Sequence, residues 1–283
     1  MKTAVVIGAG TMGAGIAEVL ARAGLQTTLC DRELALAEAG LEKVRASLGR
    51  AVQRGKLDTA EPVLARLQTA QGLGPPADLV VEAVYEELEL KKSVLGELSR
   101  RSEATLLGSN TSSLSLTEIA SACQAPERVI GLHFFNPAPV MALLEVVRAE
   151  QTSPQTLDRA LELALRLGKT PVVVRDVAGF ATSRLGILLG MEAIRMVESQ
   201  VASAADIDRA MELGYRHPMG PLKLTDLVGL DVRLAIAEHL TREIGPQFTP
   251  PPLLRRLVRA GYLGKKTGRG FYRWEGEQAL EDC

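Results

Sequence analysis

The sequence has few cysteines, few aromatic residues and almost no net charge. Its three cysteines, Cys30, Cys123 and Cys283, lack metal-ligand spacing and are too few for a disulfide framework, which indicates a reducing compartment, the cytoplasm. Lysine and arginine number 33 against 34 aspartate and glutamate residues, so no overall field attracts nucleic acid or an anionic membrane surface. Neither partner is expected.

Long hydrophobic runs are also missing. No apolar run reaches the ~20 residues that a membrane helix needs, and the N-terminus begins a strand pattern instead of a signal peptide. With 283 residues, of which 46% are hydrophobic and 24% charged, the chain has the composition of a soluble globular protein of one large domain or two.

The opening residues predict a strand, a glycine turn and a helix. An apolar run over residues 4–7 precedes three glycines spaced as G-x-G-x-x-G, and helical periodicity follows them. Such glycines permit the turn, let a pyrophosphate approach the backbone and let helix and strand pack closely, while the helix N–H groups bind phosphate. The predicted cofactor-binding turn consists of Gly8, Gly10, Thr11, Met12 and Gly13.

A second predicted strand, residues 26–30, is followed by Asp31. A carboxylate at this distance from the glycine turn can accept hydrogen bonds from the adenosine ribose and would repel a 2′-phosphate, so the sequence favours NAD over NADP. Arg32 could weaken the preference for NAD over NADP, because its positive charge attracts a 2′-phosphate. Alternatively, Asp31 caps the helix that starts near Leu34.

Apolar residues recur at helical spacing over residues 34–51, and basic residues gather away from that stripe. A solvated helix face explains most of these charges. The functional alternative is that Ser47 and Arg54 reach the phosphates of a bulky anionic substrate.

Polar residues follow two further predicted strands, residues 79–84 and 105–108. Glu82, Glu86 and Lys91 belong to the first of these regions, and the segment SNTSSL follows the second. Ligands of open α/β sheets gather beyond the carboxyl ends of the strands, so these residues are expected near a crevice. Ser115 and Glu118 predict a capping box, which leaves the other hydroxyls, including Ser112, available to a ligand.

Residues 131–147 read GLHFFNPAPVMALLEVV and carry the strongest candidate for chemistry. Two prolines forbid a helix after His133, and Glu145 lies within an apolar run, where a carboxylate requires a partner. His133 is the natural partner, and a carboxylate on one imidazole nitrogen would fix the tautomer for acid–base chemistry. The alternative is that His133 fills space and Glu145 faces solvent.

Beyond residues 175–179 the pattern becomes helical. The sequence therefore predicts a doubly wound α/β domain over residues 1–177 and a smaller all-helical domain over residues 178–283. Residues 185–197 are apolar on nearly every face, which indicates a core helix or a subunit interface. His217 and His239 lack metal-ligand spacing, and no metal site is predicted.

Five motifs in order, GAGTMG, SNTSSL, GLHFFNPAPVMALLEVV, HPMGPLKLTDLVGLD and LGKKTGRGFY, closely resemble the L-3-hydroxyacyl-CoA dehydrogenase family, especially its short bacterial 3-hydroxybutyryl-CoA type. The resemblance spans essentially the whole chain. It implies NAD as cofactor, an acyl-CoA thioester as substrate and a homodimer formed through the second domain.

The resemblance also implies residue roles. His133 would be the catalytic base, Glu145 would orient it, and Ser112 would hydrogen-bond the substrate oxygen at C3. Ser183 stands where the family usually has an active-site asparagine, so its substrate contact differs from the family pattern. The residues implied to line the cofactor site are Glu86, Lys91, Ser112, Asn136 and Lys266, and those implied near the CoA moiety are Ser47, Arg54 and Ser112.

Two other functions remain open from the sequence. A related enzyme could oxidise a small hydroxy acid without CoA, and a non-catalytic NAD-binding or structural protein could use the same fold. A requirement for CoA in the assay would exclude the first alternative. NAD-linked turnover would exclude the second.

Overall fold

The computed structural model describes residues 1–101 and 105–280. The chain divides into two compact units, Met1–Val177 (unit 1) and Ala178–Cys283 (unit 2). The third cysteine of the sequence, Cys283, lies outside the described residues.

Unit 1 is built on one eight-stranded sheet. Its strands are β1 (Thr3–Ile7), β2 (Gln26–Asp31), β3 (Leu67–Gln71), β4 (Leu79–Glu82), β5 (Leu106–Ser109), β6 (Val129–Phe134), β7 (Leu143–Arg148) and β8 (Thr170–Arg175). In space they lie in the order β3-β2-β1-β4-β5-β6-β7-β8, and only the β6–β7 pair is antiparallel. The chain order reverses between β1 and β4, which creates the crevice expected of a doubly wound sheet.

Helices connect these strands. They are α1 (Thr11–Arg22), α2 (Leu34–Gln53), α3 (Glu61–Leu64), α4 (Leu88–Ser99), α5 (Leu116–Ser121) and α6 (Pro154–Arg166). Ser115 caps α5, because its Oγ accepts from the Glu118 N–H at 3.2 Å. A 3₁₀ turn, Pro126–Arg128, precedes β6, so that strand begins at Val129.

The central strands are buried because helices cover the sheet. All four residues of β4 and of β5 and all six of β6 are buried, as their largely apolar sequences indicate. Strand β3 has the mixed sequence LQTAQ at the sheet edge and was not predicted, because an edge strand needs no continuous apolar run.

Unit 2 is mainly helical. Its helices are α7 (Thr182–Glu198), α8 (Ala204–Gly214), α9 (Pro221–Val228), α10 (Leu230–Glu243) and α11 (Pro252–Arg259). It also contains an antiparallel pair, β9 (Arg273–Glu275) and β10 (Gln278–Leu280). The apolar side of α7 contributes Ile187, Met191 and Ile194 to the core. Among the described residues, no helix is long and apolar enough to cross a membrane.

Asp226 of α9 holds the end of unit 2 in place. Its side chain is 1% exposed and accepts hydrogen bonds from the N–H groups of Phe271 and Tyr272 and from Trp274 Nε1, at 2.9, 3.0 and 2.9 Å. Asp208 lies close by and accepts from the Tyr272 hydroxyl at 2.7 Å. Burial raises the pKa of Asp226, although these hydrogen bonds oppose the shift.

Candidate active site

The glycine turn after β1 leaves no room for side chains on its inner side. A Cβ on Gly13 would lie 1.7 Å from the Gly8 carbonyl oxygen, and one on Gly8, whose φ is +100°, would lie 2.5 Å from the Ala83 oxygen. In front of Gly10, by contrast, a Cβ would meet nothing within 4 Å. The backbone at the N-terminus of α1 is therefore open to a phosphate, as a dinucleotide cradle requires.

Asp31 is joined to this turn. One carboxylate oxygen accepts the Ala9 N–H at 2.8 Å and the other accepts the Arg32 N–H at 2.8 Å. Each oxygen keeps a further lone pair that can accept from a ribose hydroxyl. The capping alternative is wrong, because Glu33 precedes α2 and no side chain caps that helix. Arg32 lies at the surface, 3.5 Å from Glu33.

His133 and Glu145 are directly opposite one another in the antiparallel β6–β7 pair. This register places both side chains on one face of the sheet, with His133 Nδ1 2.8 Å from Glu145 Oε2. Both are buried, at 7% and 0% exposure, and the Phe135 ring lies 4.5 Å from the imidazole. The predicted contact is confirmed, and the solvent-facing alternative for Glu145 is wrong.

This contact determines the tautomer that suits base catalysis. A carboxylate can only accept, so the hydrogen bond places a proton on Nδ1 of His133 and leaves the lone pair of the neutral imidazole on Nε2. The same carboxylate stabilises the imidazolium once Nε2 gains a proton. The pair can therefore take and return a proton.

The segment after β5 is tied to its neighbours by Glu86 and Asn110. Glu86 Oε1 accepts from Thr111 Oγ1 and from the Ser112 N–H, both at 2.7 Å, and from the Ser112 hydroxyl at 3.2 Å. Asn110 Oδ1 accepts the Phe134 N–H at 2.9 Å, next to His133. The structure thus gives Asn110 a positioning role that its place in a polar run did not reveal.

Lys91 lies beneath Glu86, in the interior of unit 1. Its side chain is 1% exposed and pairs with Glu82 at 2.7 Å and with Glu86 at 3.1 Å. The charge of Lys91 and hydrogen bonds from Thr111 and Ser112 hold the pKa of Glu86 below its ordinary value, against the opposing effect of burial. Glu86 therefore stays ionised while it holds the Ser112 segment.

The remaining predicted residues lie in three places. Ser47 and Arg54 are seven residues apart, at the C-terminal end of α2 and at its cap, which puts them on one face of the helix. Asn136 is exposed just after β6. In unit 2, Ser183 belongs to the first turn of α7, and Lys266 Nζ contacts both carboxylate oxygens of Asp231, at 2.6 and 2.7 Å.

Thiol and metal chemistry find no support in the described part of the chain. Burial raises the pKa values of the Cys30 and Cys123 thiols to about 11, so neither is a thiolate near neutral pH. No group of three histidine, cysteine or acidic residues within residues 1–101 and 105–280 could hold a metal ion.

Comparison with known proteins gives full-length matches. The NAD-binding domain model of 3-hydroxyacyl-CoA dehydrogenase matches residues 3–177, and the C-terminal domain model of the same enzyme matches residues 179–274. The chain is 44% identical over 281 residues to a probable 3-hydroxybutyryl-CoA dehydrogenase from Bacillus subtilis, covering 97% of this chain and 98% of that protein.

Two further relatives extend the comparison. The crystal structure of (S)-3-hydroxybutyryl-CoA dehydrogenase PaaH1 from Ralstonia eutropha has a TM-score of 0.93 at 39% identity, covering 97% of this chain and 99% of that one. A 3-hydroxyadipyl-CoA dehydrogenase from Escherichia coli is 43% identical over 285 residues, which cover 98% of this chain and 60% of that protein.

Proposed function

Because the chain belongs to the 3-hydroxyacyl-CoA dehydrogenase family, whose N-terminal domain binds NAD, we propose that it oxidises short L-3-hydroxyacyl-CoA thioesters to 3-oxoacyl-CoA with NAD, and runs in reverse as a reductase. One observation carries the proposal. The His133–Glu145 pair, 2.8 Å apart, lies at the carboxyl end of β6, beside the polar segment that follows β5. A ligand of this sheet is expected at that edge.

His133 performs the proton transfer in this proposal. Bound NAD would supply the hydride acceptor for C3 of the substrate. His133 Nε2 removes the hydroxyl proton, and Glu145 stabilises the imidazolium that forms. In the reductive direction, the imidazolium returns the proton to the oxygen at C3. Ser112 hydrogen-bonds that oxygen and contributes orientation more than charge stabilisation.

We assign the cofactor site to residues of unit 1. The open backbone at Gly10, the crowded glycines on either side of it and the carboxylate of Asp31 fit a dinucleotide, and Thr11 and Met12 supply N–H groups at the start of α1. Glu86, Asn136 and Ser112 line the same site, with Lys91 beneath Glu86. Lys266 is a cofactor contact on the family resemblance alone, because its ammonium is paired with Asp231.

The CoA moiety is assigned to α2. Ser47 and Arg54 share a helix face with Lys43 and Arg50, so the face presents a hydroxyl and three cations. Such cations bind phosphates. Their affinity for a phosphate should fall as the salt concentration rises.

A homodimer formed through unit 2 completes the proposal. Support comes from apolar side chains of that unit that remain exposed: Leu185, Leu188, Leu213, Leu224, Leu227, Val228 and Val232. Sedimentation velocity would test it, with a monomer as the contrary result. A cytoplasmic location is proposed from the free, buried thiols of Cys30 and Cys123.

The proposed reaction is tested with a panel of 3-hydroxyacyl-CoA thioesters of increasing acyl length, followed by NADH absorbance. We expect turnover to be highest with 3-hydroxybutyryl-CoA and absent with free 3-hydroxybutyrate. Turnover of free hydroxy acids without CoA would favour the small-acid enzyme. NADH binding without turnover of any substrate would favour a non-catalytic NAD-binding protein.

A further inference from the structure

One cation of unit 2 is buried without a partner. Arg233, in the first turn of α10, is 6% exposed, and its Nε atom is buried with no hydrogen-bond partner. Across residues 1–101 and 105–280, no carboxylate forms an ion pair with its guanidinium. Burial alone lowers the pKa of Arg233, to about 10, so the side chain remains a cation near neutral pH. The charge of this guanidinium is therefore uncompensated within the chain.

The other two buried basic residues among those described are both satisfied. Lys91 pairs with two carboxylates, at 2.7 and 3.1 Å, and Lys169 donates to two backbone carbonyl oxygens, at 2.7 and 2.6 Å. Taking a charge out of water costs free energy unless a counter-ion or hydrogen-bond acceptors replace the water. Arg233 has neither, so it is a place where an anion from outside the chain would bind.

The guanidinium lies against a part of α7 that has no side chain. A Cβ on Gly186 would be 3.6 Å from Arg233 Nη1, and no other atom that the structure describes outside α7 would be within 4 Å of it. Ser183 precedes Gly186 by three residues, so the two lie on the same side of α7, about 5 Å apart. No side chain of Gly186 therefore separates the guanidinium from the side of α7 that carries Ser183.

A carboxylate on the substrate fits this arrangement. The family resemblance implies that Ser183 contacts the substrate. Three C–C single bonds span about 4 Å, so a carboxylate three bonds beyond C3 extends about as far as one helix turn, the separation between Ser183 and Gly186. A guanidinium binds a carboxylate through two parallel N–H···O bonds, and Nε is one of the donors that can take part. A methyl-ended acyl group of the same length would leave Arg233 unpaired.

We propose that Arg233 is a specificity-determining residue that binds a carboxylate at the far end of the acyl group, so that the enzyme prefers carboxylate-ended 3-hydroxyacyl-CoA thioesters to methyl-ended ones of equal length. This inference rests on the proposed function and on the substrate contact implied for Ser183. It adds a substrate class that the proposed reaction leaves open, and it gives a reason for a cation to be buried in unit 2.

Two thioesters of equal length give the main test. 3-Hydroxyadipyl-CoA ends in a carboxylate and 3-hydroxyhexanoyl-CoA ends in a methyl group, and both acyl groups have six carbons. We expect wild-type kcat/KM to be roughly 10- to 100-fold higher for the carboxylate-ended thioester, the factor that one hydrogen bond to a charged group contributes. Equal or lower efficiency with 3-hydroxyadipyl-CoA, while 3-hydroxyhexanoyl-CoA is turned over, would overturn the proposal.

Substitution of Arg233 should remove this preference. Arg233→Met keeps much of the side-chain volume without the charge, so kcat/KM for 3-hydroxyadipyl-CoA should fall by the same factor, and the change with 3-hydroxyhexanoyl-CoA should be much smaller. Arg233→Lys keeps the charge but not the paired donors and should restore part of the preference. Arg242→Met is the matched control, because Arg242 is an exposed arginine of the same helix, and it should keep the wild-type ratio. Equal losses with both thioesters would indicate general damage to unit 2 and would contradict the proposal.

The stability of the free protein gives a test that needs no turnover. An unpaired buried charge destabilises the folded state, so Arg233→Met should raise the midpoint of urea unfolding, followed by the fluorescence of Trp274. A lower midpoint would show that the guanidinium is already satisfied in the free protein, and the proposal would fail.

The source of the anion is decided by two further results. If a partner subunit supplied it, Arg233→Met would dissociate the dimer in sedimentation velocity and leave the ratio of the two kcat/KM values unchanged, which would overturn the proposal. A wild-type protein that binds NADH but turns over neither thioester would refute the proposed reaction, and this inference with it. Turnover of both thioesters without preference would refute only the role of Arg233.

Discussion

Both units bury carboxylates, but the partners of those carboxylates differ. Glu145 in unit 1 faces His133, a side chain that can both accept and donate a proton. Asp226 in unit 2 accepts from two backbone N–H groups and from the Trp274 indole, which do not titrate. A buried acid beside an imidazole can direct a proton, whereas one surrounded by fixed donors can only hold the fold.

The two acids look alike in the sequence. Glu145 stands in LLEVV and Asp226 in LTDLV, each a single acid inside an apolar run. Burial without a partner would cost either of them several kcal/mol, so both must be satisfied. What differs is the partner, which lies twelve residues away for Glu145 and at least 45 residues away for Asp226.

The largest expected effect comes from removing the imidazole of His133. His133→Gln should lower kcat by roughly 10² to 10⁴-fold, because a positioned general base is lost while the glycine turn stays intact. NADH binding, measured by fluorescence titration, should change little. His217→Gln, in a loop of unit 2, is the control. Near-normal turnover of the His133 variant would mean that the His133–Glu145 pair has no chemical role.

Removing the carboxylate of the same pair should have a smaller effect. Glu145→Gln is expected to reduce kcat less than His133→Gln does, because the base remains and loses only the carboxylate that orients it. The acid limb of the pH–rate profile should move to lower pH, because an imidazolium without its carboxylate gives up its proton more readily. An unmoved limb would mean that the two side chains are not coupled in catalysis.

The matching change in unit 2 should affect stability instead of chemistry. Asp226→Asn leaves one or two buried N–H donors without an acceptor, which should lower the free energy of unfolding of unit 2 by about 1–3 kcal/mol. Trp274 is the only tryptophan and bonds to Asp226, so its fluorescence in a denaturant titration reports this unit directly. Glu243→Gln, an exposed acid of unit 2, is the control. A shifted pH–rate profile in the Asp226 variant would erase the distinction between the units.

The contributions of Asp226 and Glu86 to stability should change with pH in opposite directions. Burial raises the folded-state pKa of Asp226 above 3.8, so its contribution is complete below that pH and is lost as pH rises through the folded value. Glu86 behaves oppositely. Its pKa is lowered from 4.5, so its contribution is present above 4.5 and is lost as pH falls through the folded value. Denaturant titrations of Asp226→Asn and Glu86→Gln against wild type should show opposite trends, and parallel trends would contradict this.

Local patterns in the sequence were enough to predict the elements that depend on local chemistry. The glycine turn, the Ser115 cap and the His133–Glu145 contact each follow from residues close in sequence or joined by one hairpin. The edge strand β3 and the terminal pair β9–β10 could not be predicted, because short polar strands gain their stability from a neighbouring strand. Asp226 gave no signal of its role for the same reason, since its donors are distant in sequence.

Ser183 is a residue of unit 2 for which the family resemblance predicts a contact with the substrate. The family resemblance implies that Ser183, in the first turn of α7, replaces an active-site asparagine, and a serine side chain is shorter and carries a single donor. Ser183→Asn should therefore raise kcat/KM for 3-hydroxybutyryl-CoA by about 5-fold, the equivalent of one hydrogen bond of ~1 kcal/mol. Stability followed by Trp274 should not change. A fall in kcat/KM would mean that the pocket is adapted to another acyl group, and turnover of longer and carboxylate-ended thioesters by the wild type would then identify that group.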